Sequence, residues 1–145
     1  MPQLSKTRTL DASADAVWAV LADFPNISEW NSGVKASHAT SDATGGVGAK
    51  RHCDLSPAGA LEETVVGWEE GSKMVISIDQ AKGLPIKTGE VTFDLSGSGE
   101  TSQMAFRYDY EVGLVGKIIG PILKRQLDKG FDGFLDDLEA AAKAR

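Results

Sequence analysis

The sequence has very few residues that bind metals or form covalent cross-links. Its 145 residues include a single cysteine, Cys53, and two histidines. An intramolecular disulfide is therefore excluded, and no cluster of Cys and His residues has the spacing of zinc ligands. We predict neither a bound metal nor a cofactor, and the lone thiol agrees with a reducing compartment.

The sequence also lacks an excess of positive charge and a long apolar run. Its 15 Lys and Arg residues are outnumbered by 21 Asp and Glu residues, which gives a net charge of −6 and disfavours a surface that binds nucleic acid. No apolar run approaches the ~18 residues of a membrane span. The first residues, MPQLSKTRTL, lack the apolar core of a secretory signal. We expect a cytoplasmic protein without nucleic acid as a partner and without stable insertion into a membrane.

Common catalytic motifs are missing as well. The chain contains no GxSxG elbow, no HExxH helix and no P-loop. His52 is predicted to face outward beside Lys50 and Asp54. Cys53 has no predicted neighbouring base, so it is expected to pack as an inert side chain. The motifs therefore assign no catalytic residue.

The length and the patterning of the chain indicate one α+β domain over residues 1–145. Ser13 is a candidate N-cap and Pro25 stops the helical spacing, so we predict a helix over 14–24. Between Gly33 and Val112, alternating segments are separated by turn-forming clusters. Their short connections favour an antiparallel meander. The predicted strands are 3–10, 34–41, 47–55, 60–69, 73–79, 87–95 and 101–112.

A long helix is predicted at the end of the chain, from Lys117 or Pro121 to Lys143. Its apolar stripe, which we expect to cover the sheet, consists of Ile119, Leu123, Leu127, Phe131, Phe134 and Leu138. Gly130 and Gly133 lie on or beside this stripe, and each costs about 1 kcal/mol relative to alanine. Two explanations stay open: close packing of the helix backbone on the sheet, or space for a cavity. Both predict that the glycines are buried.

One charged pair is predicted to point into the domain. Alternation places Arg51 on the core face of its strand together with Val47, Cys53 and Leu55. The hairpin closed by SPAG brings residue 51 opposite residue 63 or 64, so we predict an inward Arg51–Glu63 pair. The alternative is a surface pair on the convex face, which a β-bulge would allow.

The inner face of the predicted sheet combines apolar and aromatic side chains with this pair and two phenols. Such a mixture is typical of a pocket for a small molecule. The candidate ligand-binding residues are Arg51, Cys53, Leu55, Glu63, Ile76, Val91, Phe93, Phe106, Tyr108, Tyr110, Leu123, Leu127, Gly130, Phe131 and Phe134.

An ordered set of segments resembles a known superfamily over residues 3–142. ASADAVWAVLADFPNISEWNSGV is followed by GGVGAKRHCDL, LEETVVGWEEG, KMVISI and a last helix rich in Phe and Leu. This set resembles the START/Bet v 1-like superfamily (SRPBCC), in particular its bacterial polyketide cyclase/dehydrase-like branch. The resemblance implies a helix-grip fold, in which a curved antiparallel sheet of about seven strands wraps around a long C-terminal helix, with short N-terminal helices and a hydrophobic cavity.

The resemblance also carries over site residues and loops. The segment GAKRHCDL resembles a pocket-lining strand, which implies that Arg51, Cys53 and Leu55 line the pocket, and Glu63 matches an inward acidic position. The loops 56–59 and 81–85 resemble gates at the pocket mouth. One departure is the TG of residues 88–89, where many relatives have an aromatic residue, which implies a larger ligand or a missing polar anchor.

We therefore expect binding or transport of a small hydrophobic molecule, such as a lipid, an aromatic metabolite or a polyketide-like compound. Arg51 would meet an acidic or carbonyl group. The alternative is a polyketide cyclase/dehydrase-type enzyme that uses Tyr108, Tyr110, Arg51 or Glu63 for proton transfer. A module that binds a protein partner is a third hypothesis, and it requires an exposed apolar patch. The sequence pattern shows none outside the periodic elements.

Overall fold

One antiparallel sheet of seven strands forms the body of the domain in the computed structural model, which describes residues 2–145. The strands are β1 (Gln3–Leu10), β2 (Val34–Ala39), β3 (Lys50–Leu55), β4 (Ala60–Glu69), β5 (Lys73–Lys82), β6 (Ile86–Ser96) and β7 (Ser102–Val112). Their order is β1-β7-β6-β5-β4-β3-β2, so every neighbouring pair from β2 to β7 is also consecutive in the chain. This is the predicted meander. The register shifts within the β4–β5 pair bend the sheet.

The helices are α1 (Ala14–Ala22), a 3₁₀ helix (Phe24–Glu29), α2 (Leu114–Ile118) and α3 (Gly120–Lys143). The seven-stranded sheet around a long final helix confirms the predicted helix-grip fold. No helix among residues 2–145 is long and apolar enough to cross a membrane.

The first helix is shorter than predicted. Ser13 caps α1, because its hydroxyl accepts a hydrogen bond from the Ala16 amide. The α-helix ends at Ala22, and the chain continues with the 3₁₀ helix, which has Pro25 in its first turn. Beyond it, the Trp30 ring packs edge-on against Phe134 of α3 at 5.2 Å between centroids. These segments close one end of the space between sheet and helix.

The strand predicted at 47–55 begins only at Lys50. Val47 is exposed rather than part of the core face. The reason is the turn before β3: Gly46 and Gly48 both have positive φ, at 80° and 97°, which bends the chain out of the extended conformation. The alternating pattern is therefore real only from Ala49 onward.

The final helical segment is divided in two. Ile119 interrupts it between α2 and α3, yet its amide still bonds to the Val115 carbonyl at 3.1 Å, and the Leu123 amide bonds to the Ile119 carbonyl at 2.8 Å. Two residues of the predicted stripe, Leu123 and Leu138, are buried in the core. Leu127, Phe131 and Phe134, in the middle, are only half-buried. The helix therefore meets the sheet unevenly.

Candidate functional site

A cavity of about 290 Å³ lies between the sheet and α3. Of the predicted binding residues, those that line it are Arg51, Cys53, Leu55, Glu63, Ile76, Val91, Phe93, Tyr108, Leu127, Gly130, Phe131 and Phe134. Phe106, Tyr110 and Leu123 lie outside the lining and are buried in the core. Whether the lining residues bind a ligand stays a prediction.

Sequence patterns alone missed several lining residues. Ile78 shares a strand face with Ile76, so alternation was sufficient to find it, and Leu84 belongs to the predicted gate loop 81–85. Residues of irregular segments carry no periodic signal. The additional lining residues are Ile27, Asn31, Gly33, Val34, Leu61, Ile78, Leu84, Ile86 and Gln126.

The predicted ion pair forms and points inward. Arg51 and Glu63 are direct partners in the β3–β4 register, and the Arg51 Nε donates to Glu63 Oε1 at 2.8 Å. Both are buried, with 6% and 7% of their surface exposed. Arg51 Nη1 also donates to the Phe24 carbonyl at 2.8 Å, and its guanidinium lies 3.9 Å from the centroid of the Phe24 ring. The guanidinium charge is therefore compensated on one side by a carboxylate and on the other by a π face.

Tyr108 is a lining residue of the cavity with a hydroxyl group that is unpartnered within the described chain. Its side chain is buried, and its hydroxyl has no hydrogen-bond partner among residues 2–145. Burial, followed by the negative charge of Glu63, raises the pKa of the Tyr108 phenol far above its usual range. The hydroxyl therefore stays protonated at neutral pH and can donate a hydrogen bond.

Gly89, at the position where many relatives have an aromatic residue, is explained by its close contacts. A Cβ at Gly89 would lie 2.8 Å from Cε1 of Tyr108 and 2.7 Å from the Asp109 carbonyl oxygen. Any side chain at residue 89 thus collides with the Tyr108 ring or with β7. The TG dipeptide thus makes room for the phenol ring of Tyr108, which lines the cavity from the neighbouring strand β7.

Cys53 is unsuited to nucleophilic chemistry. Burial, together with the adjacent Glu63 carboxylate, raises the pKa of its thiol to about 12. Its Sγ donates to Glu63 Oε1 at 3.4 Å. The thiol is therefore protonated at neutral pH and acts as a small apolar wall of the cavity.

Both imidazoles lie outside the cavity. His52 projects from the opposite face of β3, and its ring nitrogens contact Glu62 Oε1 at 2.6 Å and Asp54 Oδ1 at 2.8 Å. Hydrogen bonds to Asp54 and Glu62 raise the pKa of His52. His38 is exposed beside it. No group of three or more His, Cys, Asp or Glu side chains within residues 2–145 is arranged so that it could hold a metal ion.

The two helix glycines face open space. A Cβ on either Gly130 or Gly133 would meet no atom within 4 Å, so close packing of the helix backbone does not explain them. The expectation that both are buried was wrong, because both are exposed. Gly130 borders the cavity and Gly133 does not. Only Gly130 therefore fits the explanation that the glycines leave space.

The exposed lining residues mark the mouth of the cavity. They are Gln126 and Gly130 of α3 and Gly33, which precedes β2, while Leu84 of the loop 81–85 is half-buried. A Cβ on Gly59 would lie 3.2 Å from the Leu84 side chain, which shows that the loops 56–59 and 81–85 touch. That these loops act as gates stays a prediction.

Comparison with known proteins agrees with this geometry. The family described as "Polyketide cyclase / dehydrase and lipid transport" matches residues 1–143. No curated protein matches the chain. Among solved structures, a START superfamily protein from Mycobacterium smegmatis has a TM-score of 0.83 and 19% identity, covering 98% of this chain and 97% of that chain.

Two further solved structures are similar. A protein from Thermus thermophilus has a TM-score of 0.82 and 13% identity, covering 99% of this chain and 98% of that chain. The Zhui aromatase/cyclase from Streptomyces sp. R1128 has a TM-score of 0.79 and 15% identity, covering 99% of this chain and 94% of that chain. At these identities the likeness shows the fold. The match of the family over nearly the whole chain shows more: the protein belongs to the polyketide cyclase/dehydrase and lipid transport family.

Proposed function

We propose that the protein binds and carries a small, uncharged hydrophobic molecule that has one oxygen able to accept a hydrogen bond. The observation that supports this most directly is Tyr108, a lining residue of an otherwise mostly apolar cavity. Its buried hydroxyl is protonated and has no hydrogen-bond partner among residues 2–145. A buried donor without a partner costs about 1–3 kcal/mol. A ligand oxygen would recover that free energy.

The charge balance of the cavity favours a neutral ligand over an acidic one. The sequence suggested Arg51 as an anchor for an acidic group, but Arg51 already pairs with Glu63 and with the Phe24 carbonyl. A carboxylate entering the cavity would lose its hydration and would also meet the Glu63 carboxylate. A ketone, ester or hydroxyl oxygen has neither penalty.

The size of the cavity favours a compact ligand. Pockets for drug-sized ligands usually measure about 300–1,000 Å³, and this cavity is at the lower limit with about 290 Å³. Aromatic walls from Phe93, Phe131 and Phe134 suit a flat ring system. An aromatic or polyketide-like compound therefore fits better than a long acyl chain.

Binding of three naphthalenes of similar shape tests this proposal. We expect 2-acetylnaphthalene to bind more tightly than 2-ethylnaphthalene, and 2-naphthoate to bind least, as measured by fluorescence titration. Tyr108→Phe should weaken 2-acetylnaphthalene by about three- to ten-fold, the value of one hydrogen bond, and leave 2-ethylnaphthalene unchanged.

Tyr110→Phe is the matched control, because Tyr110 is a buried phenol stacked 5.0 Å from Tyr108 but outside the lining. Equal losses for the ketone and the hydrocarbon in Tyr108→Phe would contradict the role of the hydroxyl. Preferred binding of 2-naphthoate would contradict the proposed neutrality of the ligand. Native mass spectrometry of freshly purified protein would reveal a carried molecule directly.

A cyclase or dehydrase activity is the second candidate. The feature that favours it is a phenol and a carboxylate, Tyr108 and Glu63, in the lining of one cavity, where they offer a proton donor and an acceptor. Glu63 would have to act while paired with Arg51. Cyclisation of a polyketone that persists in both Tyr108→Phe and Glu63→Gln would rule this activity out for these residues. The cytoplasmic location stays a prediction.

A further inference from the structure

An exposed apolar surface lies on α2 and the start of α3. We call it the α2 face. Its members are, with the fraction of surface exposed, Leu114 (77%), Val115 (64%), Ile118 (74%) and Ile122 (58%). Elsewhere in residues 2–145 the large exposed apolar side chains are Val47, in the turn before β3, and Val66, in β4.

The four side chains are arranged as one surface. Helical hydrogen bonds continue through the break at Ile119, from the Ile119 amide to Val115 and from the Leu123 amide to Ile119. Leu114, Ile118 and Ile122 are therefore each four residues apart along a nearly continuous helix, which aligns them on one side. No other part of residues 2–145 covers these four side chains.

The helical segment that carries the α2 face is basic, whereas the whole protein is acidic. The chain has a net charge of −6, but residues 114–129 contain four basic residues, Lys117, Lys124, Arg125 and Lys129, and one acid, Asp128. Asp128 is paired with Lys6 from β1. None of the four basic residues forms an ion pair within residues 2–145. Their charges are therefore free to meet an external anion.

The α2 face lies near the mouth of the cavity. α2 packs directly on the loop 81–85, since a Cβ on Gly116 would lie 2.5 Å from the Pro85 carbonyl oxygen. The residues on either side of Pro85, Leu84 and Ile86, line the cavity. Gln126, an exposed lining residue, follows Ile122 by about one turn of α3.

We propose that the α2 face docks on the surface of an anionic phospholipid bilayer and brings the cavity mouth to the lipid. Aliphatic side chains beside unpaired Lys and Arg residues suit the boundary between acyl chains and acidic headgroups. Hot spots of protein interfaces are enriched in Trp, Tyr and Arg, and none of the four members of the α2 face is one of these residues. Docking on the surface of a bilayer needs no membrane-spanning helix.

Vesicle co-sedimentation of the purified full-length chain tests docking without reference to any cavity ligand, so its result is independent of the proposed function. We expect the protein to bind vesicles of phosphatidylcholine with about one third phosphatidylglycerol at low salt and to dissociate at about 0.5 M NaCl. It should not bind phosphatidylcholine vesicles. Ile118→Asn with Ile122→Asn should reduce the partition coefficient at least ten-fold. Lys117→Gln with Lys124→Gln should reduce it by more than five-fold.

Matched control variants remove the same groups elsewhere. Val47→Asn with Val66→Asn removes two exposed apolar side chains, and Lys35→Gln with Lys50→Gln removes two exposed cations. Both should bind vesicles like the natural sequence. Absence of binding to acidic vesicles at low salt, or equal losses in the control variants, would overturn the proposal. So would a dimer in analytical ultracentrifugation that Ile118→Asn with Ile122→Asn converts to a monomer, because a second copy would then cover this surface.

Discussion

The two halves of α3 share one sequence pattern but differ in what they contact. In the packed half, residues 135–143, Leu135 and Leu138 have no exposed surface and belong to the main core with α1. In the cavity half, residues 126–134, Leu127, Gly130, Phe131 and Phe134 border empty space. The difference arises from what the helix meets: core side chains along the packed half, and the cavity along the other.

The lesson is that amphipathicity identifies the face of a helix that turns inward, and the opposing element decides whether that face is buried. The two halves also differ in expected energetics. Side chains in the packed half contribute to the free energy of unfolding through burial. Those in the cavity half contribute less to folding, and they leave apolar surface that a ligand can cover.

The largest expected effect distinguishes the halves by truncation of one leucine in each. Leu138→Ala should reduce the free energy of unfolding by about 2–5 kcal/mol, because it leaves a void in a filled core. Leu127→Ala should cost about 1 kcal/mol or less, since Leu127 is half-buried and already borders a cavity. Urea denaturation measures both values. Similar losses for the two variants would mean that the cavity half is as tightly packed as the other.

The two glycines of α3 give a second comparison, with a smaller effect on stability. Gly130→Leu and Gly133→Leu should each raise the free energy of unfolding by up to about 1 kcal/mol, because leucine favours the helix more than glycine does and a Cβ at either residue meets no atom within 4 Å. Only Gly130 borders the cavity.

Binding therefore separates the two glycine variants. Gly130→Leu should weaken 2-acetylnaphthalene at least ten-fold, because its side chain occupies part of the cavity or its mouth. Gly133→Leu should bind as the natural sequence does. If Gly133→Leu were equally impaired, the open space at Gly130 would have no connection with binding.

Much of the fold was predictable from local patterns. Short turns between alternating segments fixed the antiparallel meander, and a single long amphipathic helix was the only element able to cover it. The SPAG hairpin was sufficient to predict the register that joins Arg51 to Glu63. Two features of the fold were not predictable from the periodicity of apolar residues. Positive φ at Gly46 and Gly48 shortened β3, and Ile119 divided the final helix.

The site was predictable only where it lies on regular elements. The alternation of apolar and polar residues predicts that Phe106 and Tyr110 point inward. It does not predict which of the inward side chains border a cavity. In the structure, the Phe106 ring lies 4.4 Å from Phe131 and Tyr110 stacks on Tyr108, so their neighbours fill the space in front of them. Leu123 is likewise covered in the core. Residues of irregular segments, such as Asn31, have no pattern from which to infer their place.

Two sets of surface ion pairs connect β1 to α3, and we call them tethers. They provide the test with the smallest expected effect on the difference between the halves. The Lys6 ammonium contacts Asp128 and Asp132, beside the cavity half, and Arg8 contacts Asp136 and Glu139 of the packed half. Pairs of this kind contribute about 0–1 kcal/mol and are screened by salt. We therefore expect Lys6→Gln and Arg8→Gln each to lower the free energy of unfolding by less than about 1 kcal/mol, and less still in 1 M NaCl.

The two tether variants should differ in where hydrogen exchange accelerates. Local opening needs less free energy where few apolar contacts hold an element, and the cavity half has fewer than the packed half. Lys6→Gln should therefore speed amide exchange in residues 126–134 at low salt, whereas Arg8→Gln should leave exchange in residues 135–142 close to that of the natural sequence. Burial of Leu135 and Leu138 holds that half without the tether. Equal acceleration in both halves would contradict the claim that packing, rather than surface charge, distinguishes them.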